Sequence, residues 1–366
     1  MTELLAKTLD HLRALVAFDT QNPPREIGAD GIFEYARSQL EGFQWVTTNH
    51  GGGSVSFFAV RGNPRILFNV HLDTVPAAPA WTRDPFALAI ASDRAIGLGA
   101  CDIKGAAAAL LTAVAHTTGD VALLFTSDEE ANDARCVAAF LAQKRPFDAV
   151  VVAEPTRCEA VLAHRGISSA RVAFAGRAGH ASAANALSGN ALHQAMRWGA
   201  RALEHVESLN HERFGGLTGL RFNIGRVEGG IKANVIAPSA DVRFGFRPLP
   251  SMDTDALLAT FRACADAPPA EFVETFRGPP LPAGNVADAE SRRLAARDFA
   301  DRFGLPIGNA VDFWTEASLF SQAGYSAIVF GPGDIAQAHG ADEFVELAQL
   351  QRITQIYVAM IEQGSR

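Results

Sequence analysis

The stretch ALLFTSDEEAN at 122–132 joins an apolar run to two adjacent acids, Glu129 and Glu130. From Val121 to Phe125 the run reads as a buried strand, and Thr126 to Glu130 as the polar loop at its carboxyl end. Two neighbouring carboxylates there repel each other and lose hydration. That is tolerable where one binds a cation and the other transfers a proton. Taken alone, the pair reads as a solvated helix start, because acids favour a first helical turn. It gains weight because residues of ligand type follow the ends of other strand-like segments.

Working outward, 54–60, 65–70 and 149–153 are short β-rich runs, and the alanine-rich 103–115 and 131–143 are helical in pattern. Such alternation predicts an α/β fold with a central mixed sheet, flanking helices and sites at the strand carboxyl ends. From about Ser168 the texture changes. A strand-like SARVAFAG is followed by a helix near 187–208, strands near 219–228 and 235–246, a helix near 252–265 and a strand near 270–276. This β-α-β-β-α-β order is the ferredoxin-like plan. GPPLPAG at 278–284 reads as the return linker. Beyond it, 291–303 and 343–362 look helical, and SAIVF at 326–330 looks like a further buried strand. The expected organisation is a discontinuous catalytic domain, 1–167 and 278–366, with a lid-like insertion over 168–277.

The whole chain narrows the classes. Its 366 residues exceed what one core usually covers, and 48% are apolar, as in a globular protein. No run of about 18 apolar residues is present, so no membrane span is expected. Leu5, Leu9, Leu12 and Val16 fall on one face of an N-terminal helix, which is not the pattern of a signal peptide. The net charge of −8, without a basic cluster, argues against nucleic acid or an anionic membrane as partner. Cys101, Cys136, Cys158 and Cys264 are scattered, which suits a reducing cytoplasm and argues against a disulfide framework or a thiolate zinc site.

Four further motifs supply donors. In VHLDTVP at 70–76, His71 can bind a metal while Asp73, two residues on, orients the ring; alone, a His-x-Asp reads as a turn pair. In GLGACDIKG at 97–105, glycines surround Asp102, whose two oxygens can bridge two cations and whose side chain can cap the next helix, two roles that can hold together. That segment fails the dinucleotide fingerprint. Glu154 ends the apolar run in VVVAEPTR at 150–157, a costly place for an unpaired carboxylate. His339 lies in QAHGADEF at 337–344, where a lone histidine is ordinarily solvated. Two histidines with Asp102, Glu130 and Glu154 suit Zn²⁺ or Co²⁺, with Mn²⁺ as an alternative. The chain has no G-x-S-x-G elbow, no H-E-x-x-H and no P-loop.

Together, HLDTVP, GLGACDIKG, TSDEE, AEPT and AHGADEF resemble the M20 family of dinuclear zinc amidohydrolases and peptidases. The resemblance spans nearly the whole chain. DFWTEASLF at 312–320 and GPGDIAQAHGADEF at 331–344 bring it closest to the family's deacetylases of acetylated ornithine and citrulline. It implies that His71 and Glu154 hold one metal, Glu130 and His339 the other, and Asp102 both. It further implies that Asp73 supports His71 and that Glu129 is the general base. AGRAGHAS matches the family's Gly-His segment, so His180 is expected to serve the active site of a partner subunit. KANVIAP and GFRP match segments that supply Asn234 and Arg247 for the substrate carboxylate, although Gly245 stands where the family often has an acid. A cis Asp102–Ile103 peptide is implied as well.

The expected activity is therefore metal-dependent hydrolysis of the amide of an N-acetyl amino acid in arginine biosynthesis, by a homodimer joined through the insertion. N-acetyl-L-citrulline is expected ahead of N-acetyl-L-ornithine. A dipeptidase or carboxypeptidase of the same family is an alternative, and a non-catalytic metal-dependent binding protein is one of another class. Glu129 speaks against the last, since ligation does not need it.

Overall fold

The computed structural model describes residues 2–23, 27–131 and 135–364. The chain forms two compact units. The first takes Met1–Leu162, Arg292–Gly308 and Thr315–Arg366; the second takes Ala163–Ser291 and Asn309–Trp314.

Among the described residues, the first unit is built on a six-stranded sheet. Its order is Gln44–Asn49, Val55–Arg61, Val121–Thr126, Ile66–His71, Ala149–Val152, Ser326–Val329. The first two strands pair antiparallel; the remaining four are mutually parallel, with His71 opposite Thr126. Parallel strands must be covered on both faces, and Ile66–His71, Val121–Thr126 and Ala149–Val152 are buried along their whole length, as continuous apolar runs require. Their common polarity brings the following loops, and hence the acids and His71, to one edge of the sheet.

The helices Glu3–Val16, Lys104–Ala115 and Leu347–Gly364 pack against one another. In Lys104–Ala115 every residue up to Val114 is buried, and its alanines let two neighbours approach closely. Thr8, Thr112 and Thr354, one per helix, meet there, with Thr8 Oγ1 at 3.1 Å from each of the other two hydroxyls. The expected Leu5, Leu9, Leu12 and Val16 stripe is the buried face of the first helix.

The second unit has a four-stranded antiparallel sheet, ordered Arg221–Gly229, Ser239–Arg247, Ile167–Ala175, Glu271–Gly278. With helices Ala191–Ser208 and Thr254–Ala263 this gives the βαββαβ sequence and the ferredoxin-like strand order. Ile167–Ala175 alternates half-buried and buried residues, because only one sheet face is covered by helices. Asn190 and Asp253 start the two helices by accepting backbone N–H bonds on their side chains, so the helix expected from 187 begins at Ala191.

Several short elements differ from expectation. The outer strand Gln44–Asn49 and the helix Ala317–Gln322 were not foreseen. Nor was a small sheet of Ala89–Ala91, Arg94–Ile96 and Phe344–Glu346. The helix expected over 343–362 starts at Leu347, because Val345 is buried opposite Ala95 in that sheet. The helix expected over 131–143 is described from Arg135 to Leu141; residues 132–134 lie outside the described residues.

Trp198 centres the second unit's core, fully buried among Phe174, Phe244 and other apolar residues, with its indole N–H donating to the Phe261 carbonyl at 2.7 Å. Trp198→Ala removes a large volume and orphans that carbonyl, so a loss of about 3–5 kcal/mol is expected. Urea denaturation measures it; a change below about 1 kcal/mol contradicts this account of the core.

Candidate metal centre

All the expected ligands belong to the first unit, and most follow directly from the parallel strands. His71 is the last residue of Ile66–His71, Glu129 and Glu130 follow Val121–Thr126, and Glu154 follows Ala149–Val152. Asp102 lies in the loop before Lys104–Ala115. Gly99, at φ 78°, lets that loop turn, and Gly105 approaches the Ala100 carbonyl too closely for any Cβ. The Asp102–Ile103 peptide is cis. Ile103, not Asp102, occupies the cap of the following helix, without a side-chain bond. The cap role expected of Asp102 beside its bridging role is therefore not taken, because its carboxylate is engaged elsewhere.

That engagement is with two histidines. Asp102 Oδ1 is 3.1 Å from His71 Nε2, and Asp102 Oδ2 is 3.3 Å from His339 Nε2. His71 Nε2 is also 3.6 Å from Glu154 Oε1, and His339 Nε2 is 3.1 Å from Glu130 Oε1. Donor atoms therefore form two sets, His71–Asp102–Glu154 and Asp102–Glu130–His339, that share Asp102; within each, all atoms lie within 4.8 Å of one another. A tetrahedral ion with bonds near 2.05 Å has donor–donor edges of about 3.3 Å, so these sets have the spacing a divalent cation needs. Glu129 joins His71 and Glu130 in a third set, which puts its carboxylate at the same place. Cys101 stays out of these sets, its thiol facing the Asp334 carbonyl at 3.3 Å.

Electrostatics follow from burial. Desolvation pushes Glu129 well above the ordinary carboxylate range and Glu154 up to about 7, and it raises Glu130 too. His339, hydrogen-bonded to Asp102 and Glu130, is raised to about 10. Burial opposes charge on His71, yet Glu154, Asp102 and Asp73 outweigh it and lift the imidazole well above its usual value. Burial works against the Asp102 anion too, but its bonds to His339 and His71 hold it below its usual range. Like charges at this density demand protons or cations between them.

His71 Nδ1 lies 2.9 Å from the Asp73 backbone carbonyl and 3.5 Å from Asp73 Oδ1, so the carbonyl makes the closer contact to the ring and the carboxylate stands behind it. Asp73 Oδ2 accepts from the Glu130 backbone N–H at 3.1 Å and from Asn22 Nδ2 at 3.3 Å. Asn22 also donates to the Ser127 carbonyl at 2.8 Å, joining Asp73 to the acidic loop. Asn22 escaped the sequence reading, although its place before two prolines is a turn signal. Glu343 and Lys104 escaped it as well, despite lying within the quoted motifs. Lys104 is fully buried, donates to the Phe18 carbonyl at 2.9 Å, and burial pulls its pKa down to about 7. His339 sits at φ 60°, a backbone region rare for residues with a Cβ.

His180, Asn234 and Arg247 belong to the second unit. His180 is exposed, its Nδ1 2.8 Å from Ser182 Oγ. The segments of His180 and Asn234 run together: the Ala181 N–H donates to the Asn234 carbonyl at 3.1 Å, and His180 bridges Val235. Arg247 ends the strand Ser239–Arg247 and is half-buried, with no carboxylate partner among the described residues. Burial lowers its pKa.

Comparison with known proteins agrees with this architecture. The family described as Peptidase family M20/M25/M40 matches residues 67–363. The chain is 69% identical over 353 residues to N-acetyl-L-citrulline deacetylase of Xanthomonas campestris pv. campestris, covering 96% of both. It is 30% identical to acetylornithine deacetylase of Pectobacterium atrosepticum over 78% of this chain and 77% of that one. Among solved structures, a dinuclear metal-binding peptidase of the M20 family from Bacillus subtilis superposes with a TM-score of 0.66 at 14% identity, covering 98% of each chain.

A divalent cation entering these sets must displace protons from Glu154 and His339, both of which titrate at or above neutrality. Calorimetric titration of chelator-treated protein at pH 7, in buffers of different ionisation enthalpy, is expected to show proton release and a raised Tm. Heat independent of buffer, with an unmoved Tm, contradicts the site.

Proposed function

This chain belongs to peptidase family M20/M25/M40, and we propose that it hydrolyses the amide bond of N-acetyl-L-citrulline, releasing acetate, as a step of arginine biosynthesis in the cytoplasm. The reaction class is carried by one observation: Asp102 spans His71 and His339 while Glu129 reaches the same space. The substrate is supported by the likeness to the Xanthomonas deacetylase.

In this reading His71 and Glu154 would hold one cation, Glu130 and His339 the other, and Asp102 would serve both. Divalent ions bound there, zinc or cobalt, would supply a more acidic water and polarise the amide carbonyl. Glu129 takes the proton of the attacking water and passes it to the leaving amine. Asp73 keeps His71 in place. Arg247, half-buried without a carboxylate of its own among the described residues, and Asn234 bind the substrate's α-carboxylate, which fixes the orientation of the scissile bond. His180 steadies the developing oxyanion of the partner subunit's reaction, in a homodimer joined through the second unit. The exposed Met196, Leu203 and Val227, with the outer strand Arg221–Gly229, support such a surface.

Glu129→Gln is expected to lower kcat by about 10²–10⁴-fold with metal content unchanged, whereas Glu130→Ala loses metal. Near-normal turnover of the first variant removes Glu129 from the base role. For the substrate, kcat/KM is compared over acetylcitrulline, acetylornithine, acetylglutamate and dipeptides at equal metal loading. Acetylornithine hydrolysed as well as or better than acetylcitrulline overturns the assignment and leaves the deacetylase class standing; preference for dipeptides overturns both. Sedimentation decides the dimer: a monomer with full activity rules out a role for His180 in the partner's site.

A further inference from the structure

We propose that Glu343 is the positioning residue for Asp102, holding the backbone of 99–102 so that the two carboxylate oxygens of Asp102 face His71 and His339 at once. This rests on the metal-centre reading above.

The Glu343 carboxylate is almost wholly buried and accepts three backbone N–H bonds from one loop. Oε2 takes Gly99 N–H at 2.9 Å; Oε1 takes Cys101 N–H at 2.8 Å and Asp102 N–H at 2.9 Å. Its own carbonyl accepts from Gly97 N–H at 3.0 Å. Both ends of the loop are therefore tied to this one residue. Directly beyond it, Phe344–Glu346 pairs antiparallel with Arg94–Ile96, which fixes the register of the two segments. His339 lies four residues upstream in the same segment. One stretch of chain thus supplies the imidazole that meets Asp102 Oδ2 and the carboxylate that orients the Asp102 backbone.

The residue type matters. Two anionic oxygens can accept three N–H groups. A glutamine offers one oxygen, and its NH₂ would face an N–H donor in place of accepting from it. The carboxylate is held at a cost, because it is buried beside Asp102. An acid placed beside another acid destabilises the loop unless its hydrogen bonds do something an apolar side chain cannot. Here they set the direction of the one donor that both cation sets share.

The test is calorimetric metal titration of chelator-treated wild type and Glu343→Gln, with Tm of the metal-free proteins and the kcat/KM split measured alongside. Expected for Glu343→Gln is a cation affinity about 10–100-fold weaker, a lower kcat and a nearly unchanged KM. Unchanged affinity and kcat overturn the inference, as does a lower metal-free Tm with unchanged affinity in the folded protein. Should Glu343→Gln not fold, Glu343→Asp, which keeps the charge but withdraws it by one methylene, is read the same way. A wild type that binds no cation defeats the metal-centre reading itself, and so is distinguishable from failure of the role of Glu343.

Discussion

One carboxylate, Asp102, placed between two imidazoles organises the first unit. Each of its oxygens meets a different histidine, and each histidine meets a further glutamate. No single element can deliver such a group. His71, Glu130 and Glu154 come from the ends of three parallel strands, Asp102 from a glycine-bearing loop and His339 from a connector far along the chain. The parallel sheet solves most of the problem, because strands of common polarity release their loops on the same side. The remaining two donors depend on how their loops are held.

Holding them is the task of buried polar groups that touch the donors without belonging to the donor sets. Asn22 bridges Asp73 and the Ser127 carbonyl, and Asp73 in turn accepts from the Glu130 N–H. Glu343 gathers the loop of Asp102. The buried Lys104 amine is tied to the Phe18 carbonyl. Such networks are stabilising only when their members are satisfied, and a buried charge left alone is expensive. The concentration of acid at this edge of the sheet is therefore in accord with a cation-binding role; a merely structural one would favour apolar packing.

The second unit follows a different logic. Its sheet is antiparallel and covered by helices on one face, so Ile167–Ala175 alternates where the inner parallel strands of the first unit are buried throughout. Its core is aromatic, with Phe244, Phe246 and Phe261 in mutual contact and Trp198 against Phe244. The change of texture along the chain near Ser168 is the imprint of that switch from two-sided to one-sided burial.

Long periodic segments were legible from residues alone. The buried runs at 121–126 and 149–152, the alanine-rich helix 104–115 and the βαββαβ order all carry a pattern strong enough to read without neighbours. The acids at the strand ends were legible as candidates, and it was the combination of five motifs, more than any one of them, that singled them out. Tertiary structure alone decided three things. Phe344–Glu346 is a strand because Arg94–Ile96 lies beside it; three residues hold no periodicity of their own. Asp102 turns to two histidines and caps no helix, because contacts some 31 residues back, to His71, and far ahead, to His339, set its direction. Asn22, Lys104 and Glu343 matter through bonds to backbone groups distant in sequence, and such bonds leave no local signature. Periodicity records burial along one element, whereas the aim of a side chain is set by whichever partners the fold brings to it.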